Sequence, residues 1–153
     1  MDQNTITFLR DSLSHHNNLR SGLDNKASFL VGVAGVIFGL SVNRLHELNF
    51  LVLAVCSFIA FFLAILAVFL PFRGKIKERF SLMCWWGFAD KNLQEYEKEL
   101  RVIFDSEEKI IQEYMREIWN VVNYSIKPKT AILKWASFVL VIGLLAGFVL
   151  FFA

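Results

Sequence analysis

At 153 residues the chain is long enough for one domain or one small membrane bundle. Apolar residues make up 56% of it and mean hydropathy is +0.47, whereas an average soluble domain is roughly 45–50% apolar. The net charge of +2 gives no case for a nucleic-acid partner. The apolar excess is gathered in blocks, which points to lipid as the solvent rather than to a larger water-soluble core.

The first 26 residues are polar and mixed in charge, without the basic start and apolar stretch of a cleaved secretory signal. Within them, residues 5–23 place Phe8, Leu9, Leu13, His16, Leu19 and Leu23 on one helical face. The first apolar run is 27–42, and a second follows at 48–72. At 1.5 Å per residue these helices are about 24 and 37 Å long, against a hydrocarbon core of about 30 Å. Leu23 and Leu45 extend the shorter run, and a bilayer can thin locally.

A charged middle segment, 73–129, opens on the basic cluster Arg73, Lys75, Lys77 and Arg79, closely followed by Trp85, Trp86 and Phe88. Basic and aromatic residues together at the end of a span suit the headgroup region of an anionic inner leaflet. Asn92 with Glu95 reads as a capping box opening a helix, with Leu93, Tyr96, Leu100, Ile103 and Phe104 on its apolar side. Asp105 with Glu108 reads as a second box, so a new helix begins near Ser106. Its expected packed face is Ile111, Tyr114, Met115, Ile118, Trp119 and Val122. Pro128 marks a kink or restart before the third apolar run, 131–153, about 34 Å long.

These elements predict an all-α integral membrane protein with three transmembrane helices and a helical cytoplasmic lobe. The expected divisions are an amphipathic helix in 1–26, a transmembrane hairpin in 27–72, a cytoplasmic helical region in 73–129 and a third span in 130–153. Lys and Arg placement sets the orientation. The segment from Arg73 to Lys129 carries eleven of them, and the loop between the first two runs carries only Arg44. The N-terminus and the middle segment are therefore expected in the cytoplasm, and Ala153 at the outer, periplasmic face.

Catalytic and metal chemistry find little support. No nucleophile elbow, phosphate loop or His-Glu-x-x-His pattern occurs. His15 and His16 point about 100° apart on a helix and cannot face one ion together. Cys56 and Cys84 have no neighbour at metal or redox spacing. Glu95, Glu97, Glu99, Glu107 and Glu108 read as a solvated face, ion-paired with Lys98, Arg101 and Lys109. Ser28, Ser41, Ser57 and Ser137 lie in or beside the spans, where hydroxyls bond to backbone carbonyls. No enzyme activity, cofactor or metal is expected.

Two patterns suggest packing and switching. Gly35 with Gly39 and Gly143 with Gly147 are spaced as Gly-x-x-x-Gly, which lets helix backbones approach closely within a bundle or between protomers. Where the first span meets the cytoplasm, Arg20 lies one turn before Asp24 and can pair with it, with Lys26 beside them. This junction reads either as an interfacial anchor or as a polar hinge.

The chain resembles the Pycsar transmembrane effectors of bacterial antiphage defence. The resemblance lies in the stretch 19–28, where Asp24-Asn25-Lys26-Ala27 opens a span. It continues in Trp86-Gly87-Phe88, Glu95-Tyr96 and Leu100, then in 114–119, Tyr124 and the approach 127–129 to the last span. It covers nearly the whole chain. It implies a partner nucleotide cyclase that makes cyclic CMP or cyclic UMP on infection. It also implies damage to the bacterial inner membrane and growth arrest or death of the cell. No segment reads as a separate β-rich nucleotide-binding domain, so pockets in the helical lobe, or between lobes of a homo-oligomer, would hold the ligand. Candidate contacts are Arg20, Asp24, Lys26, Arg73, Lys75, Lys77 and Arg79, with Trp85 or Trp86 stacking on the base. The rival readings are a passive membrane anchor for a soluble enzyme and a constitutive small channel or holin-like protein.

Overall fold

The computed structural model describes residues 3–69, 82 and 91–152. They form helices throughout, with no strand among them. The helices are α1 (Gln3–Val42), α2 (Leu48–Phe69), α3 (Leu93–Phe104) and α4 (Glu107–Asn120). A π-helical stretch (Val121–Ile126) then leads into α5 (Lys127–Phe152). The described residues include three helical stretches long and apolar enough to cross a membrane: Thr5–Val42, Leu48–Phe69 and Glu107–Phe152. The expected all-α, three-span architecture is thus the observed one. The chain divides into two compact units, Met1–Arg20 with Phe72–Ile126, and Ser21–Pro71 with Lys127–Ala153.

The second unit is the membrane unit. Residues 21–42 of α1 and all of α2 are each about 33 Å long at 1.5 Å per residue, enough for a hydrocarbon core of about 30 Å. The contacts give the directions. Ala27 packs with Ala67 and Leu133, and Ala34 with Ala60 and Leu140. Gly143 lies against Cys56, and Gly147 against Leu53. Partners on α2 fall in number as those on α1 and α5 rise, so α1 and α5 run parallel and α2 runs antiparallel to both. The Ser21 end of the α1 segment and the Lys127 end of α5 therefore share one end of the bundle, and Phe152 lies at the other.

What this bundle buries is small. On α2 the buried residues are Asn49 and then Ala54, Ser57, Ala60, Ala64 and Ala67, the last five spaced three and four apart. Phe29, Phe58, Phe62, Trp135, Phe138 and Phe148 all point outward and are more than half exposed. A water-soluble bundle buries its largest apolar side chains to remove them from solvent. In lipid that drive vanishes, and close backbone packing through small residues takes over. Hydroxyls in the bundle bond to the carbonyl one turn back: Ser28 Oγ donates to Asp24 O (3.0 Å), Ser41 Oγ to Ile37 O (2.8 Å), and Ser57 Oγ to Leu53 O. That is the partnering expected for serines in spans.

In the first unit, α3 starts at the predicted capping box. Asn92 Oδ1 accepts from Glu95 N (2.9 Å) and Glu95 Oε2 accepts from Asn92 N (3.3 Å). The second cap falls one residue later than the pattern suggests. Ser106 Oγ accepts from Lys109 N (3.2 Å), while Asp105 pairs with the Lys109 ammonium at 3.7 Å. Asp105 itself still has helical backbone angles, whereas Ser106 is extended, the conformation an N-cap needs.

The packed face of α4 also differs from the expected one. Glu113, Glu117 and Asn120 are its buried residues, and Met115 and Trp119 are 59% and 50% exposed. On α1, Leu9 is buried but Phe8 and Leu19 are exposed. After α4 the helix continues without a restart. Pro128 has no N–H, and its ring crowds the carbonyl four residues back, that of Tyr124. The six residues before α5 take this up by widening into a π-helix, a form that recurs at functional sites.

Candidate functional site

The path of the chain places a charged pair where α1 and α5 begin their membrane-unit segments. The unit starts at Ser21 on α1 and at Lys127 on α5. Three residues on stands Asp24, and two residues on stands Lys129. The Lys129 ammonium donates to Asp24 Oδ1. The Lys129 side chain is only 7% exposed, and that of Asp24 39%. A buried ammonium costs several kcal/mol unless paired, so Asp24 is what permits Lys129 to be inside. Asp24 remains in part solvated, and its backbone oxygen accepts the Ser28 hydroxyl. Beneath the pair, Ala27, Ala67 and Leu133 close the bundle.

Beside this clamp a shallow groove of about 430 Å³ is lined by Asn25, Lys26, Phe29, Leu30 and Ser137. Lys26 is exposed there, as a snorkelling anchor would be. Arg20, the partner that helix spacing offers Asp24, is half-buried one turn earlier on α1. The partner found for Asp24 lies 105 residues away in sequence, beyond the reach of local patterns. Helix α1 runs unbroken through Asp24, Asn25 and Lys26. Arg73, Lys75, Lys77, Arg79, Trp85 and Trp86 lie outside the described residues, as does Cys84.

The two glycine pairs meet different surroundings. A side-chain carbon on Gly143 would overlap Cys56 Cβ, and one on Gly147 would lie 2.6 Å from Leu53 Cγ. At Gly35 the nearest atom is on the Phe61 ring at 3.6 Å, ordinary contact distance. A side-chain carbon on Gly39 would meet no atom of another helix within 4 Å among the described residues. Gly143 and Gly147 therefore seat α5 on α2, and Gly39 faces outward.

The first unit holds a second charged region. Helices α3 and α4 enclose a cleft of about 620 Å³ whose lining carries four cations and three carboxylates over Val102 and Ile103. Lys91 pairs with Glu99, and Arg116 Nη1 donates to Glu113 Oε1 at 2.7 Å. Glu113 Oε2 is buried with no hydrogen-bond partner. Sequence reading passed over Lys91, Glu113 and Arg116. Their only signal is that Glu113, Glu117 and Asn120 share one face of α4 opposite Met115, and a polar face ordinarily marks the solvated side. His16, half-buried on α1, bonds through Nδ1 to Ser12 O at 2.7 Å, and His15 is exposed.

Among known families, residues 8–153 match a model described as the Pycsar effector protein domain. No curated protein and no solved structure matches the chain.

Proposed function

The chain belongs to the Pycsar effector family of antiphage defence, and on that premise we propose that it is a membrane effector triggered by a cyclic pyrimidine nucleotide. A partner cyclase makes cyclic CMP or cyclic UMP on infection. The triggered protein, acting as a homo-oligomer, impairs the inner membrane, and the infected cell stops growing or dies. The N-terminus and the segment 73–129 face the cytoplasm, where the nucleotide is made, and the C-terminus faces the periplasm.

The observation that carries this reading is the Asp24–Lys129 clamp, set where both parallel helices begin their course through the membrane unit. In this reading the clamp switches between two arrangements, closed as in the structure and opened to water on the side where Asp24 is already solvated. A ligand shifts such an equilibrium only by binding one arrangement better. Moving it from about 1% to about 99% active takes roughly 5.5 kcal/mol of differential binding. Several charge-assisted hydrogen bonds to a nucleotide reach that.

Expression with and without a pyrimidine cyclase, read by a membrane-potential dye, tests the reading. Depolarisation that depends on the cyclase is the expected result. Depolarisation indifferent to the cyclase would point to a constitutive channel. An unchanged potential, with one soluble enzyme co-purifying in fixed ratio, would point to a passive anchor. Asp24→Asn, which weakens the clamp, is expected to depolarise cells at lower cyclase levels than the wild type needs.

A further inference from the structure

The cleft between α3 and α4 has the size, the charge and the unfilled hydrogen-bonding capacity of a nucleotide site. Its volume of about 620 Å³ falls within the roughly 300–1,000 Å³ of small-molecule sites. Its four cations, Lys91, Lys98, Lys109 and Arg116, outnumber its three carboxylates by one. A cyclic phosphodiester carries one negative charge, which matches the excess of the lining once Lys109 exchanges Asp105 for it. A linear 5′-monophosphate, nearly doubly charged, overshoots it.

The cations are not equally free to bind. Lys91 is taken by Glu99 and Arg116 by Glu113. Lys109 reaches Asp105 only at 3.7 Å, with the Lys109 side chain nearly half exposed and that of Asp105 mostly so, and such a pair is weak and easily exchanged. Lys98 is exposed and has no ion-pair partner among the described residues. An ammonium without a partner and another in a loose pair are the two groups at the cleft ready to meet a phosphodiester.

Glu113 supplies the complementary need. Its side chain is 6% exposed, one oxygen is held by Arg116, and the other is buried without a donor. Leaving an acceptor in that state is unfavourable, the more so for a charged group. The terminal torsion of a glutamate is broad, so the carboxylate can turn this oxygen toward a donor delivered into the cleft. Pyrimidine edges carry such donors, the cytosine N4 amine or the uracil N3–H. Each sits beside an acceptor that the neighbouring Arg116 guanidinium can meet. Val102 and Ile103 supply the apolar wall against which a base lies.

We propose that this cleft is the seat of the cyclic mononucleotide, with Lys98 and Lys109 on the phosphodiester and the Glu113–Arg116 couple on the base edge. The inference rests on the proposed nucleotide trigger and assigns residues to it. It assigns the ligand to other residues than Arg20, Asp24, Lys26 and the basic and tryptophan residues of 73–86 that sequence alone favours.

The test is calorimetric titration of the full-length protein in lipid nanodiscs with cyclic CMP, cyclic UMP and linear CMP. Circular dichroism of each variant confirms that helix content is kept. Lys98→Ala and Lys109→Ala are each expected to weaken cyclic-nucleotide binding about tenfold, in line with loss of one charge-assisted hydrogen bond. Glu113→Gln is expected to weaken it several-fold, and Arg10→Ala, an exposed charge on α1, to leave it unchanged. If the wild type binds a cyclic nucleotide and Lys98→Ala/Lys109→Ala binds it equally well, the cleft assignment falls and the trigger stands. If the wild type binds neither cyclic nucleotide, the trigger falls and takes the assignment with it. Equal losses with Arg10→Ala, or equal affinity for linear CMP, would mark the attraction as general electrostatics and overturn the assignment.

Discussion

The two units of this chain bury opposite kinds of side chain. The membrane unit hides chiefly alanine, glycine and serine, with Leu133 and Leu140, and turns most of its phenylalanines outward. The other unit hides Glu113, Glu117 and Asn120 on α4 and leaves Met115 and Trp119 exposed. In the first, the rule is close approach: with lipid outside, large apolar groups gain nothing by going in. In the second, buried polar atoms that lack partners cost stability, and such a cost is commonly met at sites that bind something. One unit packs helices through small residues, and the other carries polar side chains in its interior.

The contrast breaks most severely at Gly143. Gly143→Leu has nowhere to put its side chain against Cys56, and overpacking of this kind costs about 3 kcal/mol. The thermal midpoint in detergent should fall sharply and cyclase-dependent depolarisation should vanish. Gly39→Leu, facing no atom of another helix within 4 Å among the described residues, should leave the midpoint unchanged or raise it. If Gly39 instead lies between protomers, the same change will shift the oligomer distribution in mild detergent, which separates packing within a chain from packing between chains.

The clamp gives a smaller and asymmetric effect. Asp24→Ala strands a buried ammonium, while Lys129→Met leaves a carboxylate that water already reaches. The expected losses are about 2 kcal/mol for Asp24→Ala and less than half of that for Lys129→Met. The double variant should be more stable than Asp24→Ala alone. Equal single effects would show that the two charges are not coupled as the structure places them.

In the other unit, Asn120→Leu removes a buried donor that has no acceptor and is expected to raise stability by about 1 kcal/mol. The matched change in the membrane unit, Ser57→Leu at a fully buried site, should lower it. If both moved in the same direction, the two interiors would not differ as described. The smallest effect belongs to Asn92→Ala, which opens the capping box of α3 at a cost of about 0.5–1 kcal/mol. Amide exchange should then quicken in the first turn of α3 and stay unchanged in α2.

Much of the architecture was legible in the chain itself. The three apolar runs give the three spans, because a bilayer of fixed thickness demands that many apolar residues in a row. Asn92 and Glu95 give the start of α3, because a cap is a contact between residues three apart. The Asp105–Glu108 pattern came within one residue of the true cap, since only backbone angles separate Asp105 from Ser106. The face of α4 was less readable. Periodicity shows that a helix has two faces, but which one turns inward depends on what surrounds it.

The order of elements, the spans, the family and the local caps were therefore determined by sequence, through interactions between near neighbours and with the solvent. The tertiary structure alone decided that Lys129, from a separate helix, reaches Asp24, that Gly143 and Gly147 seat α5 on α2 while Gly39 faces outward, and that Glu113 lies buried at a charged cleft. Each of those depends on residues from separate helices meeting in space, or on which face of a helix is covered, and no spacing along the chain encodes it.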